Sequence, residues 1–434
     1  MSDIAVIGAG LAGCEAAHTL SRRGKKVALY EMKPIRRSPA HRSDGFAELV
    51  CSNSLKAKRV ETAAGLLKQE MRMLGSLTLE CAARCEVPAG GALAVDREIF
   101  SRLVTEAIQN DPNIEIRHEE ITALDLGIPT IVATGPLTDG GLADSLSELT
   151  GGFLSFFDAA APIVTADSID MSRVFAASRY DRGDDDYLNC FFSKEEYERF
   201  YNELINAETA PVHGVDSGVY EGCMPIERLA KRGEQTMRFG PMKPVGLRDP
   251  RTGHRPWAAV QLRKENTEST MYNIVGFQTS LKFGEQKRVF SMIPGLEEAE
   301  FARYGVMHRN SFLNAPKTLN PNLSLKNRPE IFVAGQLTGF EGYMESASSG
   351  ILAARFAVDM LDGIESRQLP EHTMLGSLLR YIGTENADFQ PMGANMGVIP
   401  PLDEEIRDKK ERYAAVSRRA IDEMERFLKQ GENE

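Results

Sequence analysis

Ile4-Ala5-Val6-Ile7-Gly8-Ala9-Gly10-Leu11-Ala12-Gly13 decides the fold of this chain. Four apolar residues, enough for a short buried strand, run directly into a Gly-x-Gly-x-x-Gly segment. Gly8 suits the tight turn, Gly10 lets backbone approach a pyrophosphate, and Gly13 lets the following helix pack close to a sheet. The pattern predicts a helix over residues 12–23, stopped by Gly24. A second strand, Lys26-Val27-Ala28-Leu29-Tyr30, then ends at Glu31, which lies 18 residues after Gly13. An acid at that distance meets a ribose hydroxyl, and the helix N-terminus faces the phosphates. Gly8, Ala9, Gly10, Leu11, Ala12, Gly13 and Glu31 are therefore the expected dinucleotide-binding residues.

Outward from this unit, the strand–glycine theme returns twice. Thr130-Ile131-Val132-Ala133-Thr134-Gly135-Pro136 is an apolar strand with a Gly-Pro stop. Ile331-Phe332-Val333-Ala334-Gly335-Gln336 repeats it near the far end of the chain. A helix is expected from about 346 to 361, after Gly339 and Gly342, with its N-terminus toward a cofactor. A fingerprint at residue 8 closed by a glycine segment around Gly335 and Gln336 is the layout of FAD domains. Simple NAD dehydrogenases keep the fold contiguous, and no second Gly-x-Gly-x-x-Gly is present.

The stretch between has another texture, with aromatic pairs, a charged helix near 193–207 and Gly-Pro turns. The expected fold class is α/β: a Rossmann-like, glutathione-reductase-like FAD-binding domain, residues 1–155 and 325–434, interrupted by an α+β insertion domain over 156–324. A single helix is expected from 64 to 85, another from 97 to 110, and a charged amphipathic one from 403 to 434. A chain of 434 residues is long for one core.

Composition narrows the setting. With 42% apolar and 26% charged residues and no apolar run of membrane-spanning length, no membrane segment is expected. Leu11-Ala12-Gly13-Cys14 resembles a lipoprotein cleavage box, but no basic residue precedes it, so Cys14 reads as a small packing residue. Six scattered cysteines and no export signal predict a reducing, cytoplasmic location with free thiols. Cys81 and Cys85 share a helical face but lack further ligands, so no metal site is expected. The net charge of −11 disfavours nucleic acid overall. Locally, residues 231–257 carry seven Lys or Arg against two acids, a possible phosphate-facing patch.

Two thiols stand in loops. Cys51 lies in a polar stretch after the first βαβ unit, near the expected cofactor. Cys223 sits in Tyr220-Glu221-Gly222-Cys223-Met224-Pro225, where Lys231 and Arg232 would favour a thiolate. Taken alone, each also suits an inert small residue.

Several long stretches, from residue 6 to 13, Phe46 to Leu55, Val87 to Arg97, Tyr220 to Ile226, Phe239 to Leu247, Tyr272 to Thr279, Arg303 to Asn310 and Ala334 to Ser346, resemble the folate- and FAD-dependent tRNA uracil-5-methyltransferases (TrmFO). The related GidA flavoproteins share the glycine segments but carry a longer C-terminal helical region. The resemblance implies methylation of uracil C5 in RNA, at position 54 in the T loop of tRNA, with ribosomal RNA as the alternative target. A small-molecule flavin oxidoreductase is the rival class. The implied partners are tRNA, methylenetetrahydrofolate as carbon donor and NAD(P)H as external reductant. By position, Cys223 matches the family's nucleophile and Cys51 the cysteine beside the flavin, a proposed general base. His308 and Arg309 would bind substrate or pack in the core. Phe277 and Tyr343 would stack on folate or flavin or serve as core. The 231–257 window would touch the RNA backbone.

Overall fold

The structure, a computed structural model, describes residues 2–38, 40–181, 186–210, 224–305, 307–386 and 389–431. Ile4–Ile7 is fully buried and lies inside a six-stranded sheet. The strand order is Ser324–Leu325, Arg328–Val333, Thr130–Val132, Ile4–Ile7, Val27–Glu31, Ile114–His118. All neighbours run parallel except the Ser324–Leu325 edge. Continuous apolar runs suit such strands because helices cover both faces of a parallel sheet. The three glycine-terminated strands read from the sequence are adjacent in space: Ile4 to Ile7 beside Thr130 to Val132, and that beside Ile331 to Val333. Their C-terminal ends bring Gly8, Gly135 and Gly335 to one edge of the sheet.

Helix Leu11–Arg22 begins at Gly10 and packs against the long helix Tyr343–Asp362. That long helix starts three residues earlier than expected, since Gly342 at φ +118° makes the turn into it. The helix expected over 64–85 is two helices, Ala63–Met73 and Leu77–Ala83. Gly75 at φ +80° separates them and the Ser76 side chain caps the second. The break also serves Glu15, buried in the first helix, whose carboxylate accepts the Leu77 and Thr78 N–H groups.

A second six-stranded sheet is antiparallel, ordered Val174–Ala176, Tyr187–Phe192, Ala258–Lys264, Met271–Ile274, Ile163–Thr165, Phe301–Arg303. Helices Lys194–Asn206 and Phe283–Phe290 pack over it. Its hydrophobic core draws on residues 164–299, and the other core on residues 4–146 and 312–427. The chain crosses between them on the antiparallel pair Leu154–Ala159 and Met307–Phe312. Phe277 belongs to this second core, fully buried between Phe200 and Phe290, rather than to a ligand surface. A three-stranded sheet, Ser54–Ala57, Ala92–Val95 and Glu86–Val87, lies beside the seam between the two cores.

Candidate functional site

The sheet edge opens into a cleft of roughly 1280 Å³ lined by Gly8 to Ala12, Glu31, Thr134, Gly135, Gly335 and Gln336. Each glycine answers a different constraint. Gly8 has φ +99°, and a Cβ there would lie 2.7 Å from the Ala133 oxygen. A Cβ on Gly13 would lie 1.7 Å from the Gly8 oxygen, so helix and turn touch. A Cβ on Gly10 would meet no protein atom within 4 Å, which leaves its backbone open to whatever fills the cleft. Glu31 lines the same cleft but does more than await a hydroxyl. Its carboxylate accepts the Ala9 N–H at 2.8 Å and the Lys33 N–H at 2.9 Å, pinning the glycine turn to the second strand. The Gly335 N–H donates to the Ser349 hydroxyl at 2.6 Å, which ties the closing glycine segment to the long helix.

A second cavity of roughly 1390 Å³ adjoins the cleft, sharing Val50, Pro136, Leu137, Gln336, Tyr343 and Ser346 with it. Cys51 lines this second cavity. The segment that carries Cys51 is held from all sides. The Tyr343 oxygen accepts the Cys51 N–H at 2.7 Å and the Ser52 N–H at 3.1 Å. Arg97, at the start of helix Arg97–Gln109, donates to the carbonyls of Leu49 at 2.7 Å and Cys51 at 3.0 Å, and it also pairs with Glu265 of the second sheet region. Arg303 donates to the Val50 carbonyl. Arg263 donates to Asn53 Oδ1 and to the Ser52 hydroxyl, both at 2.9 Å. Residues 49–53 are thus anchored to both cores.

These anchors set the electrostatics. Burial, and then the neighbouring Arg97 charge, lower the Arg303 pKa, while a charge on Cys51 opposes that shift. Arg303 Nε is buried without a hydrogen-bond partner among the described residues. Two guanidiniums, those of Arg303 and Arg97, thus donate to the Val50 and Cys51 carbonyls. Burial, and then the Cys51 charge, push the Tyr343 hydroxyl far above its ordinary range, so it stays protonated. Further along the same cavity, Lys56 Nζ pairs with Glu345 Oε1 at 2.7 Å, and Glu345 Oε2 is buried without a hydrogen-bond partner among the described residues.

The other described cysteines act as packing residues. Cys14, Cys81, Cys85 and Cys190 are buried. Burial pushes Cys14 well up and Cys81 up to about 11. The Cys14 thiol points at the Ala9 oxygen, 3.3 Å away. Among the described residues no group of three or more His, Cys, Asp or Glu could hold a metal. Nor is any described helix long and apolar enough to cross a membrane.

Cys223 lies outside the described residues, as do the side chains of His308 and Arg309. Part of the 231–257 basic window is spent inside the fold. Arg238 donates to the Trp257 carbonyl and stacks 3.7 Å over its ring, and Arg251 pairs with Asp249. Lys231, Arg232, Lys243, Arg248 and Arg255 remain exposed. Sequence reasoning singled out Cys51 but gave no role to Arg97, Arg263, Arg303, Lys56 or Glu345. The signal in hand was the placement of Arg97 and Arg303 in stretches already singled out for family likeness; their partners emerge only in three dimensions.

Three comparisons bear on this site. The family model described as "Glucose inhibited division protein A" matches residues 3–365. The chain is 56% identical over 430 residues to the methylenetetrahydrofolate–tRNA-(uracil-5-)-methyltransferase TrmFO of Desulfitobacterium hafniense (strain Y51), covering 98% of each chain. It is 54% identical to the protein of the same description from Halalkalibacterium halodurans, again covering 98% of both. Among solved structures, Aquifex aeolicus GidA aligns over the whole of this chain and 76% of its own length, with a TM-score of 0.69 at 17% identity. That likeness carries the fold.

Proposed function

We infer the function from one premise: this chain belongs to the TrmFO family of methylenetetrahydrofolate–tRNA-(uracil-5-)-methyltransferases. It is an enzyme that methylates C5 of a uracil in tRNA with carbon from methylenetetrahydrofolate, and FAD is its resident cofactor. Position 54 of the T loop is the target. The cleft fits FAD on its own chemistry: open backbone at Gly10, a turn fixed by Gly8, and the start of helix Leu11–Arg22 offering N–H groups to a pyrophosphate.

The observation that carries the reading is the position of Cys51 in a cavity contiguous with that cleft. Uracil C5 is a weak nucleophile, so a thiolate must first add to C6. Cys223 is the residue for that addition and leaves again at the end. C5, made enolate-like, attacks the folate methylene and opens the folate's N–CH2–N ring; the carbon stays bonded to one folate nitrogen until the C5 proton is removed, when tetrahydrofolate is expelled and an exocyclic methylene remains for the hydride. Cys51 takes the C5 proton. Reduced FAD, when bound, supplies the hydride that completes the methyl group, and NAD(P)H is the external reductant. The insertion region, residues 156–324, is the tRNA side, with the exposed cations of 231–257 toward the RNA backbone. The enzyme works in the cytoplasm.

The test uses T-arm RNA carrying 5-fluorouridine at the target. The parent enzyme should form a covalent RNA adduct that Cys223→Ala cannot form. Cys51→Ala should retain FAD and lose turnover. An adduct that persists in Cys223→Ala rules out that residue as nucleophile, and full turnover in Cys51→Ala removes it as base.

A further inference from the structure

We propose that the exposed ring of Phe239 is a platform on which one loop base of the RNA substrate stacks while the target uracil lies beside Cys51; the proposal rests on the tRNA reading above. Phe239 is 83% exposed, more than any other large apolar side chain among the described residues. Its ring makes no aromatic or cation–π contact among them. Phe283 also shows a ring to solvent, but that ring is stacked on Tyr304.

The backbone around Phe239 is locked while the ring itself stays outside. Phe239 ends the short helix Thr236–Phe239, in which Met237 is fully buried. Arg238 is turned inward, with Nε on the Trp257 carbonyl and its guanidinium 3.7 Å over the Trp257 ring. The chain turns at once after the ring: the Lys243 N–H donates to the Gly240 carbonyl at 3.2 Å, and the Met242 N–H to the Met237 carbonyl at 2.9 Å. Met242 is also fully buried, and its carbonyl accepts the Ala259 N–H at 3.1 Å, which ties the turn to strand Ala258–Lys264. An aromatic side chain with two rotatable bonds on so rigid a base loses little freedom when a flat partner lies on it.

Charge selects the partner. Residues 226–248 carry six Lys or Arg against two acids, and one of those acids, Glu227, is buried on the Thr279 hydroxyl and the Ser280 N–H. Lys231, Lys243 and Arg248 are exposed and make no ion pair among the described residues. Lys243 and the Phe239 ring flank one turn. A second copy of this chain, meeting the patch about a twofold axis, would set these cations against themselves. An RNA strand instead brings phosphates to the cations and a π-face to the ring, the combination by which single strands are held. The ring is also within reach of the Cys51 cavity. A Cβ on Gly276 would lie 3.5 Å from Pro241 Cα, and Gln278, two residues beyond Gly276, lines that cavity. At no more than about 3.6 Å per residue, Phe239 lies within about 20 Å of Gln278. About six stacked nucleotides, at roughly 3.4 Å each, span that distance. One RNA loop therefore serves both places, with the target base out of its stack at Cys51 and another base on the ring.

Phe239→Ala, Phe239→Leu and Phe239→Tyr in the FAD-loaded enzyme test this at a side chain that belongs to neither core. The probe is a T-arm hairpin with one target uracil, used intact and with an abasic site at each other loop position in turn. Phe239→Ala should weaken hairpin binding and raise KM by about fivefold to a hundredfold, with a smaller effect on kcat. Phe239→Tyr should bind as the parent does, while Phe239→Leu, apolar but without a π-face, should lose most of the affinity that Phe239→Ala loses. The slope of log K against log salt should stay unchanged in Phe239→Ala and fall by about one in Lys243→Gln. One abasic position should weaken the parent by the factor that Phe239→Ala loses and add nothing to that variant, since both remove the same stack. Losses that add at every position, or a Phe239→Leu variant that binds like the parent, overturn the proposal. So does self-association of the RNA-free parent that Phe239→Ala abolishes in sedimentation, which would assign the ring to a protein contact. If the parent methylates the hairpin and Phe239→Ala binds it equally well, the platform alone fails. A parent that neither binds nor methylates the intact hairpin sinks the tRNA reading itself, and the platform with it.

Discussion

The Tyr343 oxygen accepts the Cys51 N–H at 2.7 Å, joining residues 292 positions apart in the chain. Tyr343 is the first residue of the long helix that packs on the glycine-loop helix, and its ring lines both the cleft and the adjoining cavity. One side chain therefore places the candidate base relative to the cofactor cleft. Tyr343→Phe keeps the ring and removes the acceptor from two N–H groups. Leaving them partnerless should cost about 1–3 kcal/mol of stability. Turnover should fall further than FAD affinity, because the cleft keeps its lining while the Cys51 segment loosens. Thermal unfolding and flavin titration beside steady-state kinetics check this. A variant with parental kcat would show that the Cys51 segment needs no such anchor.

Arg97 makes a different kind of link. Its guanidinium serves the Leu49 and Cys51 carbonyls and pairs with Glu265, which is buried. A lysine carries the charge but not the fork. Arg97→Lys should keep folding and lose most of kcat. Arg97→Ala strands the Glu265 carboxylate and should cost about 3–5 kcal/mol, the usual result of breaking a buried pair from one side. Urea unfolding of the two variants separates the effects. Equal stability in both would mean that Glu265 finds another partner.

The sequence patterns reached the parts of this site that depend on local geometry. Gly8, Gly10 and Gly13 were legible because a turn, an open backbone and a helix contact each demand glycine within six residues. Gly335 was legible because strand Arg328–Val333 repeats the apolar run before it. The break at Gly75 was missed because residues 64–85 are helix-compatible on both sides, and what makes the break useful, Glu15 capping the second helix, lies some 60 residues away. Arg97, Arg263 and Arg303 were opaque for the same reason. Each is an ordinary exposed-type residue by composition, and only the meeting of two sheets gives them carbonyls and carboxylates to bind. Phe277 suits either a stacking ring or core packing in the sequence, and its neighbours Phe200 and Phe290 make it core.

Glu70 provides a pH signature. Burial raises its pKa to about 8, although the Met374 and Leu375 N–H groups it caps at 2.8 and 2.9 Å pull the other way. The unfolded carboxyl titrates near 4.5. Between these values the folded chain binds more protons than the unfolded one, so stability falls as pH rises. Glu70→Gln keeps one acceptor for the helix start and removes the titration. Its stability should be less pH-dependent than the parent's from about pH 5 to 8. The relative gain at pH 8 has an upper bound on the order of 4 kcal/mol, offset by about 1 kcal/mol for the weaker cap. Parallel stability–pH curves for the two proteins would exclude Glu70 as the source of the slope.

Gly350 is the helix-packing counterpart of the fingerprint glycines. A Cβ there would lie 2.1 Å from the Ala12 oxygen, in the first turn of the glycine-loop helix. Within a helix, Gly→Ala ordinarily gains about 1 kcal/mol of propensity. Here the two helices must separate, and overpacking of a close contact costs about 1–3 kcal/mol or more. The net effect should be destabilising. FAD should also dissociate more readily, because Gly10 and Ala12 line the cleft at the start of one helix and Tyr343 at the start of the other. Gly284, in helix Phe283–Phe290, is the internal control, since a Cβ there meets nothing within 4 Å. Gly284→Ala should be neutral or stabilising by up to about 1 kcal/mol with flavin retained. Thermal melts with and without added FAD compare the two. Gly350→Ala melting at the parental temperature with full flavin content would show that the helix pair can part without disturbing the cleft.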